Sequence, residues 1–315
     1  MSEFVPFAAR RLSRRALVAG AAGLLAASAC RRAPEEAPAA ETPAPPAGPE
    51  EGTLAWAVAG PWRAADRARD VWQHPVETLE FFEIRPDATV VEFWPGVGWW
   101  TEILAPYLAR GGGRLHAANF ELPDAPAAAG GEASVEELAT AQLVARFRER
   151  FTSNRRLYGE VVLSEFGPTT GPVAPANSAD LVMFMRNLNN WMAAGIAEKA
   201  FADAFAALKP GGVLGVEQPR ANPGETQDPA ATNGYVQEQF VKQLAAEAGF
   251  AFVAASEINA NPRDTKDHPF GVWTLPPQRL TAPRGEAPNP EFDRAPYDAI
   301  GESDRMTLKF RKPAA

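Results

Sequence analysis

A glycine-rich turn follows an apolar, β-rich run in residues 90–100, which read VVEFWPGVGWW. Gly96 and Gly98 lack a Cβ atom, so the backbone here can turn sharply and approach a ligand closely. A helix that begins just after the turn would direct free backbone N–H groups at anything bound there. Glu92, near the end of the run, can accept hydrogen bonds or pair with a cation. The stretch therefore predicts a ligand-binding turn.

The glycine spacing argues against two common nucleotide sites. A dinucleotide fingerprint needs a third glycine three residues beyond Gly98, and that position is Thr101. No Gly-Lys-Ser or Gly-Lys-Thr follows the turn, so a phosphate-binding P-loop is also absent.

The elements that must position this turn alternate between strand and helix patterns. Helices are expected within residues 62–82, where Pro75 interrupts them, and at 99–108, 135–151, 195–208 and 235–248. Lys209 to Gly212 is expected to form a turn that ends a helix. Strands are expected at 89–94, 114–119, 160–164, 180–185, 213–217, 250–258 and 306–311. This alternation predicts an α/β fold with a mostly parallel sheet. The last two strands have no clear helix between them, so the final strand is expected to be antiparallel.

Three motifs together resemble the class I S-adenosylmethionine-dependent methyltransferases. They are the Glu92 to Gly98 motif, residues 178–184 (SADLVMF) and residues 208–214 (LKPGGVL). The resemblance covers roughly residues 60–315 and is nearest to exported predicted methyltransferases with a Trp-Pro-Gly first motif. It implies a Rossmann-like seven-stranded sheet, mostly parallel with one antiparallel strand, with helices on both faces. The departure is Trp94-Pro95, where most family members carry a glycine.

The resemblance also implies a cofactor, S-adenosylmethionine, and roles for particular residues. Glu92, Gly96 and Gly98 would contact its methionine half. For the ribose hydroxyls two candidates stay open: Asn119 has the better register, and Glu121 has the better chemistry for a diol. Glu165, expected just after the third strand, would contact the adenine amino group.

No catalytic residue is assigned, and the methyl acceptor is unknown. Arg186 and Asn187, expected at the end of the fourth strand, would face the substrate pocket. His268 lies in a long irregular segment and is a candidate general base. The three histidines of the chain are not spaced as metal ligands, so no metal site is expected.

Two other classes of protein compete with the methyltransferase interpretation. One is a non-catalytic lipoprotein that binds S-adenosylmethionine or another ligand on the same fold. The other is a nicotinamide oxidoreductase, which an all-parallel sheet would favour. In both cases the candidate carboxylates could be ordinary surface residues.

The start of the chain is typical of an export signal. Arg14-Arg15 precede an apolar run over residues 16–29, and Cys30, the only cysteine, follows it as in a lipobox. We expect residues 1–29 to be a signal peptide, 30–52 a disordered Pro/Ala/Glu linker, 53–86 an N-terminal helical segment and 87–315 the methyltransferase domain. The protein would then be exported to the periplasm, where the alternatives are attachment to a membrane only through a lipid on Cys30 and simple cleavage nearby without a lipid. The formal net charge of −8 indicates no nucleic-acid partner.

Overall fold

A computed structural model describes residues 48–122 and 135–314 of the chain. The expected signal peptide, Cys30 and nearly all of the expected linker lie outside these described residues. None of the helices in the described ranges is both long enough and apolar enough to cross a bilayer.

Seven strands form one sheet in the order β3-β2-β1-β4-β5-β7-β6. Strands β1 to β5 are parallel, and β7 runs antiparallel to both β5 and β6. This confirms the predicted seven-stranded, mostly parallel sheet with one antiparallel strand. The strands are β1 (Thr89–Phe93), β2 (Arg114–Phe120), β3 (Val161–Phe166), β4 (Ala179–Met185), β5 (Leu208–Pro219), β6 (Ala251–Ser256) and β7 (Arg305–Arg311).

Ten α-helices of the described ranges surround the sheet. They are α1 (Leu54–Ala59), α2 (Asp70–Gln73), α3 (Pro75–Phe81), α4 (Thr101–Gly111), α5 (Val135–Ser153), α6 (Arg155–Tyr158), α7 (Leu188–Ala193), α8 (Ala197–Ala207), α9 (Glu238–Glu247) and α10 (Ala295–Ile300). Short 3-10 turns lie at Pro61–Arg63, Arg67–Arg69 and Gly271–Thr274.

Several boundaries differ from the sequence prediction, two of them near the site and at β5. The predicted turn at Lys209 to Gly212 belongs to β5, because Gly211 N donates to Lys312 O (2.8 Å) and Lys312 N donates to Gly212 O (2.9 Å). Lys312, just after β7, thus supplies backbone hydrogen-bond partners to Gly211 and Gly212. The helix predicted from residue 99 begins at Thr101, since the two preceding tryptophans still belong to the turn.

Each face of the sheet carries its own apolar core, as side chains alternate along the strands. In β1, Val91 and Phe93 join one core and Val90 joins the other. The first core gathers residues of α7, α8 and α9 around the fully buried Trp191. The second gathers residues of α1, α3, α4 and α5. The helices therefore cover both faces, as the resemblance implies.

A buried carboxylate ties the N-terminal segment to the sheet. Glu302 accepts hydrogen bonds from Arg69 (Nε, 2.6 Å), Arg186 (Nη1, 2.8 Å), Arg305 (Nη1, 3.3 Å) and the side-chain amide of Gln73. We call these five residues the Glu302 cluster. Burial raises the pKa of Glu302, but the positive charge of Arg186 and the contacts with Arg69 and Arg305 outweigh it and lower the pKa to about 2.

Glu302→Gln is expected to destabilise the protein strongly, because Arg186 loses its buried carboxylate partner. Breaking a buried ion pair from one side costs about 3–5 kcal/mol. Urea unfolding measures the loss. Glu83→Gln is the matched control, since Glu83 pairs with Lys309 and Arg311 at an exposed position and should cost less than about 1 kcal/mol. Equal losses for the two variants would show that the cluster does not hold the segment in place.

Candidate functional site

A cavity of about 240 Å³ lies at the topological switch point of the sheet. Here β1 has β2 on one side and β4 on the other, and in open α/β sheets the crevice at this point holds the ligand. The turn after β1 and the residues ending β4 form its walls. We call it the switch-point cavity; its lining includes Arg69, Gln73, Trp94, Pro95, Gly96, Val97, Trp99, Trp100, Met185, Arg186, Asn187, Asn189, Asn190 and Trp273.

The two glycines of the turn face different surroundings. Gly96 has φ +59° and lines the cavity, and a Cβ there would meet no atom of the described residues within 4 Å. Gly98 has φ +90°, and a Cβ there would lie 2.2 Å from the ring of Phe151 in α5. Gly96 is therefore open to a ligand, whereas Gly98 is needed for the close packing of α5 on the turn.

Trp94 stands where the resemblance would place a glycine, and its indole crosses the ends of two strands. The ring stacks on Phe120 at the end of β2, with centroids 4.4 Å apart. Its Nε1–H donates to Phe166 O at the end of β3 (2.8 Å). The backbone of Trp94 has φ +45°, a conformation that costs a bulky residue about 1–2 kcal/mol. The indole thus fills the groove next to the cavity on the β2–β3 side.

The residues predicted to hold the nucleoside do not line the cavity. Asn119 is buried and donates to Ala117 O of its own strand (3.3 Å). Glu121 accepts hydrogen bonds from the backbone N–H groups of Thr169 (2.9 Å) and Thr170 (3.3 Å) and from both hydroxyls. Slight burial raises the pKa of Glu121, but these hydrogen bonds outweigh it and lower the pKa.

The position predicted for Glu165 is wrong. It lies within β3 and not after it, because the strand continues to Phe166 in parallel pairing with β2. Its register partner is Asn119, so two of the predicted contacts are neighbours on the same edge of the sheet.

Glu92 lies beneath the turn as a buried carboxyl group. It is 2% exposed and accepts a hydrogen bond from the Thr101 hydroxyl (2.7 Å). Burial raises its pKa from 4.5 to about 7, although the Thr101 hydrogen bond lowers it in part. Near neutral pH the Glu92 carboxyl is therefore partly protonated, whereas an exposed glutamate is ionised.

Arg186 and Asn187 both line the switch-point cavity at the end of β4. Asn187 donates to Trp94 O (3.0 Å) and Phe93 O (3.3 Å), so its side chain holds the turn in place. Arg186 has φ +62°, and its guanidinium pairs with Glu302. Burial lowers the pKa of Arg186 to about 10, although Glu302 opposes this.

His268 lies apart from the switch-point cavity. Its Nε2 is 2.8 Å from Asp264 Oδ1, and its side chain is 2% exposed. Asp264 also accepts from the Tyr235 hydroxyl (3.0 Å) and from Asp304 N (2.8 Å). The predicted general base is therefore part of a buried hydrogen-bonded network.

Part of the cavity wall comes from residues that no sequence signal indicated. Arg69 and Gln73 come from the N-terminal segment, and Trp273 comes from the long segment after β6. None of them belongs to a recognisable motif, and only the docking of distant segments brings them together. No group of His, Cys, Asp or Glu side chains arranged to hold a metal ion occurs within residues 48–122 and 135–314.

Of the comparisons with known proteins, the one with solved structures finds similar proteins. No protein-family model matches the chain. No curated protein gives a significant match.

Three solved structures illustrate the similarity. A SAM-dependent methyltransferase from Aquifex aeolicus is 16% identical, with 63% of this chain and 90% of that chain covered and a TM-score of 0.46. A putative sarcosine dimethylglycine methyltransferase from Galdieria sulphuraria is 14% identical (79% and 88% covered, TM-score 0.45). A putative methyltransferase from Bacillus halodurans is 12% identical (76% and 99% covered, TM-score 0.44).

Gly98→Ala is expected to cost more stability than Gly96→Ala. Both substitutions place a side chain at positive φ, at about 1 kcal/mol each. Only Gly98→Ala also overpacks the turn against Phe151, which brings its total to about 2–4 kcal/mol. Chemical denaturation of the two variants tests this. A Gly96 variant that is the less stable of the pair would contradict the assignment of the two glycines.

Glu92→Gln is expected to flatten the dependence of stability on pH. Between pH 4.5 and about 7 the native Glu92 binds more protons than the unfolded one, so its contribution to stability is present below pH 4.5 and is lost as the pH rises through about 7. The change amounts to about 3 kcal/mol. Urea unfolding at a series of pH values measures it. Glu121→Gln, whose carboxyl has a lowered pKa, should keep this part of the slope.

Proposed function

We propose that the protein transfers a methyl group from S-adenosylmethionine to an acceptor at the switch-point cavity. The observation that carries the proposal is the open turn at Gly96, at the switch point of a sheet with an antiparallel β7 between β5 and β6. That antiparallel strand disfavours the nicotinamide oxidoreductase, for which we expected an all-parallel sheet.

The cavity suits the amino-acid end of the cofactor. Gly96 offers backbone unshielded by a side chain, and Glu92 lies beneath the turn. Three guanidinium groups (Arg69, Arg186 and Arg305) face two carboxylates (Glu302 and Glu217) behind the cavity. The surplus of one positive charge favours a carboxylate nearby.

The nucleoside end fits once the Trp94 indole leaves its groove. The cavity of about 240 Å³ is smaller than the ~300–1,000 Å³ typical of small-molecule sites. Displacing the indole gives up its hydrogen bond to Phe166 O and its ring contacts with Phe120, Phe166 and Trp191, each worth about 1 kcal/mol. The loss of about 4 kcal/mol is still below the binding energy of a micromolar ligand, which is about 8 kcal/mol.

Bound S-adenosylmethionine supplies a methyl group already activated on a sulfonium. The chain's own contribution is to hold the acceptor in line and to exclude water. Asn187 fixes the turn through Trp94 O, and the Glu302 cluster fixes Arg186 at the cavity wall. A general base is needed only for an acceptor that must lose a proton.

The proposal includes export to the periplasm and a lipid anchor on Cys30. Its support is the sequence alone: an arginine pair, an apolar run and a single cysteine at the end of that run.

A non-catalytic ligand-binding protein is the second candidate. The specific observation in its favour is the indole of Trp94, which already makes a stack and a hydrogen bond in the groove that a nucleoside would need.

Trp94→Ala is expected to tighten binding of S-adenosylmethionine by at least about tenfold, because the indole no longer has to be displaced. Isothermal titration of the purified protein and the variant measures this, with NAD as the comparison ligand. Phe252→Ala, which removes an exposed aromatic ring from β6, is the control and should bind like the parent. Absence of S-adenosylmethionine binding in both the parent and Trp94→Ala would exclude the methyltransferase and leave the second candidate.

A further inference from the structure

A larger cavity of about 610 Å³ adjoins the switch-point cavity. It lies between α7, the turn at residues 230–234 and the segment over residues 268–284. Asn189, Asn190 and Trp273 line both cavities, so the two share a wall. We call it the Asn190 cavity. Its volume falls within the ~300–1,000 Å³ range of small-molecule sites.

The apolar part of its wall is broad and partly aromatic. Phe270, Trp273 and Leu280 contribute large apolar side chains. Binding a ligand with apolar area removes this surface from water, which is favourable. The two aromatic rings also favour a planar group packed against them. The wall therefore selects a ligand with a ring or an alkyl chain.

The polar part of the wall includes two amide groups with free hydrogen-bond donors. Asn233 Oδ1 accepts from Tyr235 N (3.0 Å), and Asn190 Oδ1 accepts from Asn189 Nδ2 (3.3 Å). The side-chain N–H groups of Asn233 and Asn190 have no acceptor among the described residues, so these donors remain available to a ligand. Each would complement an acceptor oxygen.

The charges at the cavity favour an anion. No aspartate or glutamate of the described ranges lines it. Arg284 lines it with its guanidinium 4.4 Å from the centroid of the Trp273 ring, and no carboxylate within the described ranges pairs with it. A ligand carboxylate would therefore meet a positive charge and N–H donors, while a ligand amine would meet the like charge of Arg284.

The wall is preformed by close backbone packing. Val272 N donates to Asn233 O (2.8 Å), and a Cβ on Gly271 would lie 2.3 Å from that same oxygen. A Cβ on Gly234 would lie 2.3 Å from Val272 Cγ1. Because these segments pack closely against the two glycines, little ordering is required when a ligand binds.

We infer that the Asn190 cavity binds a small apolar carboxylate, an aromatic ring or short alkyl chain that carries one carboxyl group. The apolar part packs on Trp273 and Phe270, and the carboxylate faces Arg284 and the free amide N–H groups. The inference that the cavity is a binding site depends only on the contacts described above. As the site of the methyl acceptor, it rests on the proposed function, since the shared wall places its ligand beside the switch-point cavity.

The test uses two probes with one skeleton and opposite charge, 4-phenylbutyrate and 4-phenylbutylamine. Isothermal titration of the whole protein, without S-adenosylmethionine, is expected to show binding of the acid and at least tenfold weaker binding of the amine. Arg284→Gln should weaken the acid about tenfold, as expected for loss of a charge-assisted contact. Arg279→Gln, whose arginine pairs with Asp298 outside the cavity, should leave the affinity unchanged.

A second variant tests the place of binding. Ala193 lines the cavity from an exposed position on α7, so Ala193→Phe fills space without disturbing the core. It should abolish binding of 4-phenylbutyrate while the melting temperature stays near that of the parent. Equal affinities for the acid and the amine, or unchanged affinity in both Arg284→Gln and Ala193→Phe, would overturn the inference.

The outcome is separable from that of the proposed function. Binding of the acid in a protein that does not bind S-adenosylmethionine would retain this site and reject the methyltransferase. Binding of S-adenosylmethionine together with equal affinities for the acid and the amine would reject this site and retain the methyltransferase.

Discussion

The buried charge of Glu302 is the constraint on which the site depends. A carboxylate and its guanidinium partners can leave water only when they are all paired, because each unpaired charge would cost several kcal/mol. Arg69 comes from the N-terminal segment, Arg186 from the end of β4 and Arg305 from β7, so three distant segments must dock together. The docked N-terminal segment then closes one side of the switch-point cavity, and the paired Arg186 forms part of its wall.

The turn after β1 shows two demands competing for the same residues. Gly98 and Asn187 serve the protein's own packing: the first admits the ring of Phe151, and the second holds the turn by two carbonyl oxygens. Trp94 goes further, since it accepts a left-handed backbone in order to place its indole across β2 and β3. Strain of this kind persists only where the surroundings enforce it and is concentrated at functional sites. The Trp94 indole therefore already occupies the groove, and a ligand that binds there must displace it.

The sequence predicted the seven strands along the chain and the mostly parallel sheet well, because period-two apolar runs and glycine turns are local signals. It misplaced boundaries where pairing partners are distant: Lys209 to Gly212 extend β5 only because residues after β7 lie beside them. The site was less predictable. Gly96 could be placed on a ligand turn, but the contact of Gly98 with α5, the position of Glu165 inside β3 and the pairing of Arg186 with Glu302 all depend on segments far apart in the chain.

The place of β7 has a consequence for how the chain is made. β6 pairs only with β7, which follows it after about fifty residues, and β5 receives its second neighbour from the same strand. Until β7 has been synthesised, the ribosome-bound chain presents an unpaired edge on β5 and a β6 that no strand holds. Exposed edges of this kind can join other chains. This end of the sheet can therefore close only after β7, the last strand of the sheet in chain order, has been synthesised.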